Sequence, residues 1–268
     1  MNIQRQHWVR FENAGATGFG TLAGSRIAVH RGDMFSNPEP TGETVSLDAV
    51  RLLMPSVPSK VIALWNNFAA LGAKLNLAVP AEPLYLLKAP NSFANPGDLI
   101  KKPRCDGKVV FEGELGIVIG KRASGVSEAD ALDHVFGYTC GNDVSDRVLQ
   151  RRESEFGCLL AGKGYDTFAP MGPVIATGLD PSKLGIITRV NGAVRQNGTT
   201  ADLLFSVPEL IAYLSRYMTL LPGDMIMTGT PAGVGPIQVG DTIEVDIEGI
   251  GILRNNVVAE NRRSAARG

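Results

Sequence analysis

Between residues 7 and 30, apolar and polar side chains alternate in three short bursts, HWVRFE, GFGTL and RIAVH, separated by glycine-rich breaks. A period of two places alternate side chains on one face of a pleated strand, so residues 8–35 are expected to form a small antiparallel meander. SNPEPTGET, residues 36–44, reads as a linker-like loop because proline and glycine punctuate it. LDAVRLLMP and the apolar KVIAL run then lead into a main body that begins near residues 57–60. Within it LYLLK, VVFEGELGIVIG, GIITRV, DMIMT and TIEVDIE read as strands, bounded by Gly, Pro or Asp.

Two segments carry a helical period instead. Ser127 and Asp130 are expected to cap a helix with Leu132, Val135 and Phe136 on one face, and Leu210, Ile211, Leu214 and Met218 form a second stripe. Both stripes read as core contacts. The expected organisation is a small N-terminal β domain (1–56), a main domain (57–258) and a polar tail, AENRRSAARG (259–268), in the α+β, β-rich class.

Composition narrows the function. The 268 residues are 44% hydrophobic and 20% charged, the balance of a folded chain. Lys+Arg 26 against Asp+Glu 27 gives a formal charge of −1, which supplies no broad positive field, so neither nucleic acid nor a membrane surface is an expected partner. The N-terminus lacks the apolar core of a secretory signal and no run is long enough to span a bilayer, which makes a cytosolic (cytoplasmic) location the expectation. The three cysteines make no C-x-x-C pair, and the three histidines have no H-x-x-x-H spacing. Any metal must therefore sit on oxygen. Gly18 to Ala23 matches a G-x-G-x-x-A pattern, yet it lies in the meander with no amphipathic helix after it and reads as a hairpin. There is no G-x-S-x-G elbow.

Candidate chemistry starts at FEGELGIVIG. Strand geometry points Glu112 and Glu114 to one face and Phe111, Leu115 and Ile117 to the other. Adjacent carboxylates on an apolar strand repel, so a cation, lysines or a raised pKa must compensate them. Asp143 follows 29 residues after Glu114, and a strand-helix-strand return brings a third carboxylate beside the first two. Three oxygen donors suit Mg²⁺ or Mn²⁺, which keep other positions open for water or substrate. Thr230 lies in TGTPAGVG, where backbone N–H groups can form an anion nest. Arg147 either holds a substrate carboxylate or pairs with Asp143 or Asp146.

These residues, with N-D-V-S-x-R at 142–147, G-K-x-x-D-T-F-x-P-x-G-P at 162–173, V-N-G at 190–192, P-G-D at 222–224 and E-G-I-G-x-L near the end, resemble the fumarylacetoacetate hydrolase family over roughly residues 60–258. The region before them resembles the small leading domain of prokaryotic members. The resemblance implies a mixed β-roll, a divalent metal (Mg²⁺ or Mn²⁺) on Glu112, Glu114 and Asp143, and a homodimer. It also implies a small-molecule 2-oxo acid substrate contacted by Arg147, Gln150, Lys163 and Thr230, of which Gln150, Lys163 and Thr230 are the catalytic candidates.

One motif departs from the family. Many members carry G-L-N-Y-x-x-H-x-x-E, whose His and Glu activate water or move a proton; here Ala69 and Gly72 stand at those places, and no histidine lies between His30 and His134. His134 itself reads as structural. Decarboxylation or enol–keto isomerisation of a 2-oxo or 1,3-dioxo acid needs mainly electron withdrawal, so it is expected ahead of C–C hydrolysis of the acylpyruvate or fumarylacetoacetate type, which also needs an aimed water. The remaining alternative is a catalytically impaired, metal-binding scaffold.

Overall fold

The computed structural model describes residues 5–105 and 107–261. Strands dominate it, arranged as one twelve-stranded, one three-stranded and one five-stranded sheet among the described residues. The meander forms as expected: His7–Asn13, Ala16–Ala23 and Arg26–Asp33 pair antiparallel in succession, and the G-x-G-x-x-A pattern lies within the second of them. Residues 36–44 are a correction. All but Ser36 belong to strand Asn37–Ser46, which pairs with Arg26–Asp33 and slips register at Ala28/His30. This strand ends the sheet order, and prolines that would break a central ladder are tolerated on such an edge.

The expected helix near residue 130 is a second correction. Ser127 and Asp130 do hydrogen-bond (2.6 Å), but only the short 3₁₀ turn Ala131–His134 follows, and Val135 opens strand Val135–Asn142. That strand lies between Gly113–Ile119 and Ala169–Ala176, so two ladders outweigh a short local helical preference. His134 closes the 3₁₀ turn, away from the cleft described below. The second helix forms as Val207–Tyr217, with a Ser206/Glu209 capping box, and buries Leu210, Ile211 and Leu214; Met218 is its C-cap. Among the described residues no helix is long and apolar enough to cross a membrane.

The meander joins the main sheet through His7–Asn13 and Ala169–Ala176. Beyond it run Val135–Asn142, Gly113–Ile119, Met225–Met227, Val61–Trp65 and Leu84–Lys88. Asp224, fully buried, accepts hydrogen bonds from the backbone of Ser59, Lys60 and Leu221 and from the Ser59 hydroxyl. P-G-D is thus an architectural staple that fixes the start of Val61–Trp65. The expected tail is partly strand: Ala259 completes Gly251–Ala259 and Glu260 donates its N–H to Lys102 (2.9 Å), while 262–268 lie outside the described residues.

Candidate metal centre and cleft

The acidic residues sit where a hairpin changes sheets. VVFEGELGIVIG forms two strands, Val109–Phe111 in the small sheet and Gly113–Ile119 in the large one, and Glu112 is the residue between them. The return chain breaks likewise, from Val135–Asn142 to Ser145–Asp146, around Asp143. Gly113 faces Asn142 in register, and the Asp143 N–H donates to the Glu112 carbonyl (2.9 Å). The two corners therefore coincide. Carboxylate oxygens of Glu112, Glu114 and Asp143 all lie within 4.8 Å of one another, and all three residues are buried.

Three cations compensate them unevenly. Lys163 Nζ donates to Glu112 (3.0 Å), to Asp143 and to the Ser145 hydroxyl (2.9 Å), which uses all three of its N–H donors. Lys88 Nζ donates to Asp143 (2.7 Å), and Arg147 pairs with Glu112 (2.7 Å) rather than with Asp143 or Asp146. Glu114 makes no ion pair among the described residues. One of its oxygens accepts the Gly229 N–H (2.8 Å); the other is buried with no hydrogen-bond partner among the described residues. Burial, then the negative charges of Asp143 and Glu112, push the Glu114 carboxyl well above the usual carboxylate range. Asp143 is also buried, but Lys163 and Lys88 hold it low. Burial pushes the Lys88 ammonium down, against the pull of Asp143.

An orphaned carboxylate oxygen beside two other carboxylates fits a missing positive charge, and an oxygen-only donor set fits a hard divalent ion. Glu112, Glu114 and Asp143 thus suit the implied Mg²⁺ or Mn²⁺.

The remaining predicted residues surround this trio. Asp146 caps helix Arg147–Ser154 by accepting from the Val148 and Leu149 N–H groups, which aims Arg147 and Gln150 from its first turn. Gln150 Oε1 accepts from Arg147 (3.0 Å). Thr230 donates its hydroxyl to the Gly113 carbonyl (2.9 Å) and accepts from Gln196 Nε2 (2.7 Å), while Gln196 Oε1 accepts the Gly113 N–H (3.0 Å). Two residues escaped the sequence reading. Gln196 locks the T-G-T loop to the glutamate strand, and Lys88 ends an apolar strand with a charge that is only 3% exposed. The lysine in LYLLK was the available signal; Gln196 had none.

Glu153 accepts the N–H groups of Ala161 and Gly162 (both 2.8 Å) and so ties the Lys163 turn to the helix. A Cβ on Gly162 would fall 2.8 Å from the Gln150 nitrogen and 3.0 Å from the Asp146 carbonyl oxygen, both backbone atoms that cannot yield cheaply. Gly162→Ala is therefore expected to cost about 1–3 kcal/mol by overpacking and to lower turnover by displacing Lys163, checked by thermal unfolding and a rate assay.

A cleft opens on Glu112 and Glu114, with Asp143 buried behind them and outside its lining. Its inner lobe is lined by Trp65, Asn67, Glu112, Glu114, Arg147 and Thr230. Helix Ala69–Lys74 stands over it, with Leu71 among the lining residues of both lobes. Ala69 is exposed, and the space beside Gly72 is taken by the Asn66 side chain, 2.7 Å from where a Cβ would be.

A strand-rich fold with an oxygen-only acidic trio, two members of which line a cleft, defines a candidate metal centre. The chain belongs to the fumarylacetoacetate hydrolase family: residues 60–258 match the family described as Fumarylacetoacetate (FAA) hydrolase C-terminal, and residues 6–55 match the one described as Rv2993c-like, N-terminal. It is 40% identical over 227 residues to oxaloacetate tautomerase YisK of Bacillus subtilis, covering 79% of this chain and 74% of that one. It is 44% identical over 210 residues to the 4-hydroxyphenylacetate degradation bifunctional isomerase/decarboxylase of Escherichia coli, covering 77% of this chain and 48% of the relative. The crystal structure of 2-hydroxyhepta-2,4-diene-1,7-dioate isomerase from Mycobacterium marinum superposes with a TM-score of 0.88 at 39% identity, covering 96% of this chain and 100% of that one.

Proposed function

We propose that the protein is a divalent-metal-dependent enzyme that tautomerises or decarboxylates enolisable 2-oxo acids. The observation that carries this is the partnerless, buried oxygen of Glu114, held against two further carboxylates at the foot of the cleft. The relatives named a tautomerase, an isomerase and an isomerase/decarboxylase support the reaction class. A hard divalent cation on Glu112, Glu114 and Asp143 supplies Lewis-acid polarisation of a carbonyl and a countercharge for an enolate.

The chain's own residues do the rest. Arg147, half-exposed and anchored on Glu112 and Gln150, turns the unused face of its guanidinium to the substrate carboxylate. Gln150 keeps its amide NH₂ for the same anion, because its oxygen is already taken by Arg147. Lys163 acts through charge, since its N–H donors are committed to the carboxylates and Ser145; it steadies negative charge that develops on the substrate. Thr230 shapes the inner wall, with its proton directed at Gly113.

C–C hydrolysis asks for more. Among the described residues, the lining of both lobes contains no histidine and its only carboxylates are Glu112 and Glu114, which leaves no free general base there to aim a water.

With oxaloacetate and Mn²⁺, loss of the enol absorbance or release of CO₂ is expected above the rate with Mn²⁺ alone, to stop on adding chelator, and to return with excess Mn²⁺. A rate that chelation leaves unchanged would refute the metal reading. No acceleration with oxaloacetate or any acylpyruvate would favour a scaffold.

A further inference from the structure

Strand Ala193–Thr199 exposes Val194 (55%) and fully buries Gln196, the reverse of the ordinary ordering of apolar and amide side chains. A bulge aims the glutamine inward. Thr188 faces Gln196 and Arg189 faces Val194, so Arg195 is an extra residue that re-aims its neighbour. The T-G-T loop is seated on the same strand: a Cβ on Gly198 would fall 2.6 Å from Pro231, and one on Gly233 would collide with the Arg195 carbonyl. Burying an amide costs stability unless its polar atoms are paired, and here they are. Gln196 Oε1 accepts the Gly113 N–H (3.0 Å), and Nε2 donates to the Thr230 hydroxyl and to the Pro231 carbonyl (both 2.7 Å).

These partners adjoin both ends of Glu114. Gly113 precedes it in the chain, and Thr230 follows Gly229, which donates its N–H to the Glu114 carboxylate (2.8 Å). Thr230 closes the ring by donating its hydroxyl to the Gly113 carbonyl (2.9 Å). A Cβ at Gly113 would collide with the Thr188 hydroxyl, so the five-stranded sheet backs the glutamate strand closely at this point.

We infer that Gln196 is a positioning residue of the metal centre: it fixes both the root and the tip of Glu114 and thereby sets the space between the three carboxylates, without touching an ion. A tightly held donor set favours a small ion that demands octahedral geometry, whereas Ca²⁺ accepts longer and less regular coordination. Gln196 therefore governs the preference of the trio for Mn²⁺ over Ca²⁺ as well as its affinity. This rests on the reading of the trio as a divalent-cation site.

Two substitutions and two ions test it. Gln196→Met removes all three hydrogen bonds at similar volume, and Gln196→Asn keeps the amide but is one carbon too short to span from Gly113 to Pro231. Calorimetric titration of the metal-free protein gives the Mn²⁺ and Ca²⁺ affinities. Both variants are expected to bind Mn²⁺ about 10–100-fold more weakly and Ca²⁺ only about two- to five-fold more weakly, so the preference shrinks. The paramagnetic resonance lines of bound Mn²⁺ should broaden as the ligand geometry becomes uneven. Ile247→Ala, at a buried apolar position in strand Thr242–Ile247 of the same sheet, controls for lost stability and should leave the preference unchanged.

If Gln196→Met does not fold, Gln196→Asn decides alone. A preference that stays at the wild-type value, or that falls equally in Ile247→Ala, overturns the inference and leaves the metal reading standing. Failure of that reading looks different: a wild type that binds neither ion removes the trio as a cation site, and the role of Gln196 with it.

Discussion

Replacing Glu114 by glutamine is expected to abolish metal-dependent turnover while making the metal-free protein harder to unfold. The side chain is fully buried and faces Glu112 and Asp143, and among the described residues it makes no ion pair and one of its oxygens has no hydrogen-bond partner. Burial and these two negative neighbours raise its pKa, so ionising it costs the metal-free fold stability. The sign follows from linkage. A carboxyl whose folded pKa lies above its unfolded value contributes full stability below the unfolded value and loses it as pH rises through the folded one. Glutamine cannot ionise, so the stabilising effect in chelator should be about 1–3 kcal/mol at pH 8 and should shrink towards pH 5. Thermal unfolding at both pH values, beside calorimetric titration with Mn²⁺, measures this. A variant that is destabilised in chelator and still binds Mn²⁺ as the wild type does would show that Glu114 is structural.

Lys163→Met should have the opposite effect on the fold. Its ammonium bridges Glu112, Asp143 and Ser145 from a buried position, and removing it leaves two carboxylates short of a partner. Breaking one side of such a buried pair costs about 3–5 kcal/mol. Urea unfolding should show the loss. Adding Glu112→Gln to the variant should recover part of it, because one of the stranded charges is then gone; simple additivity of the two substitutions would deny the coupling. Turnover should fall as well, since a positive charge that bridges two of the three carboxylates is lost.

These two residues also mark how far the sequence could be read. Glu112, Glu114 and Asp143 are legible because a period of two and a strand-helix-strand return bring carboxylates together; the return holds a 3₁₀ turn instead and Glu112 sits at a corner between sheets, yet the convergence forms. Their inequality was not legible, because it depends on which lysine reaches which oxygen. Lys88 and Lys163 are 75 residues apart; both ammonium groups reach Asp143, and that of Lys88 also donates to the Lys163 carbonyl. Helix Arg147–Ser154 carries no apolar stripe, because its residues are mostly polar, and only the Asp146 cap marks it in the sequence. Asn37–Ser46 was misread as loop for a related reason: turn-forming residues describe local preference, and an edge strand can keep its prolines if a neighbour supplies the ladder.

The pairing of the first strand with Ala169–Ala176 bears on how the chain matures. Gln6 and Thr177 hydrogen-bond across 171 residues of sequence, so the N-terminal hairpins have no docking edge until well over half the polypeptide has left the ribosome. The meander can close on itself early, through neighbouring hairpins, but its apolar face must wait. A truncation that stops short of residue 169 would remove the strand on which that face docks and leave it exposed.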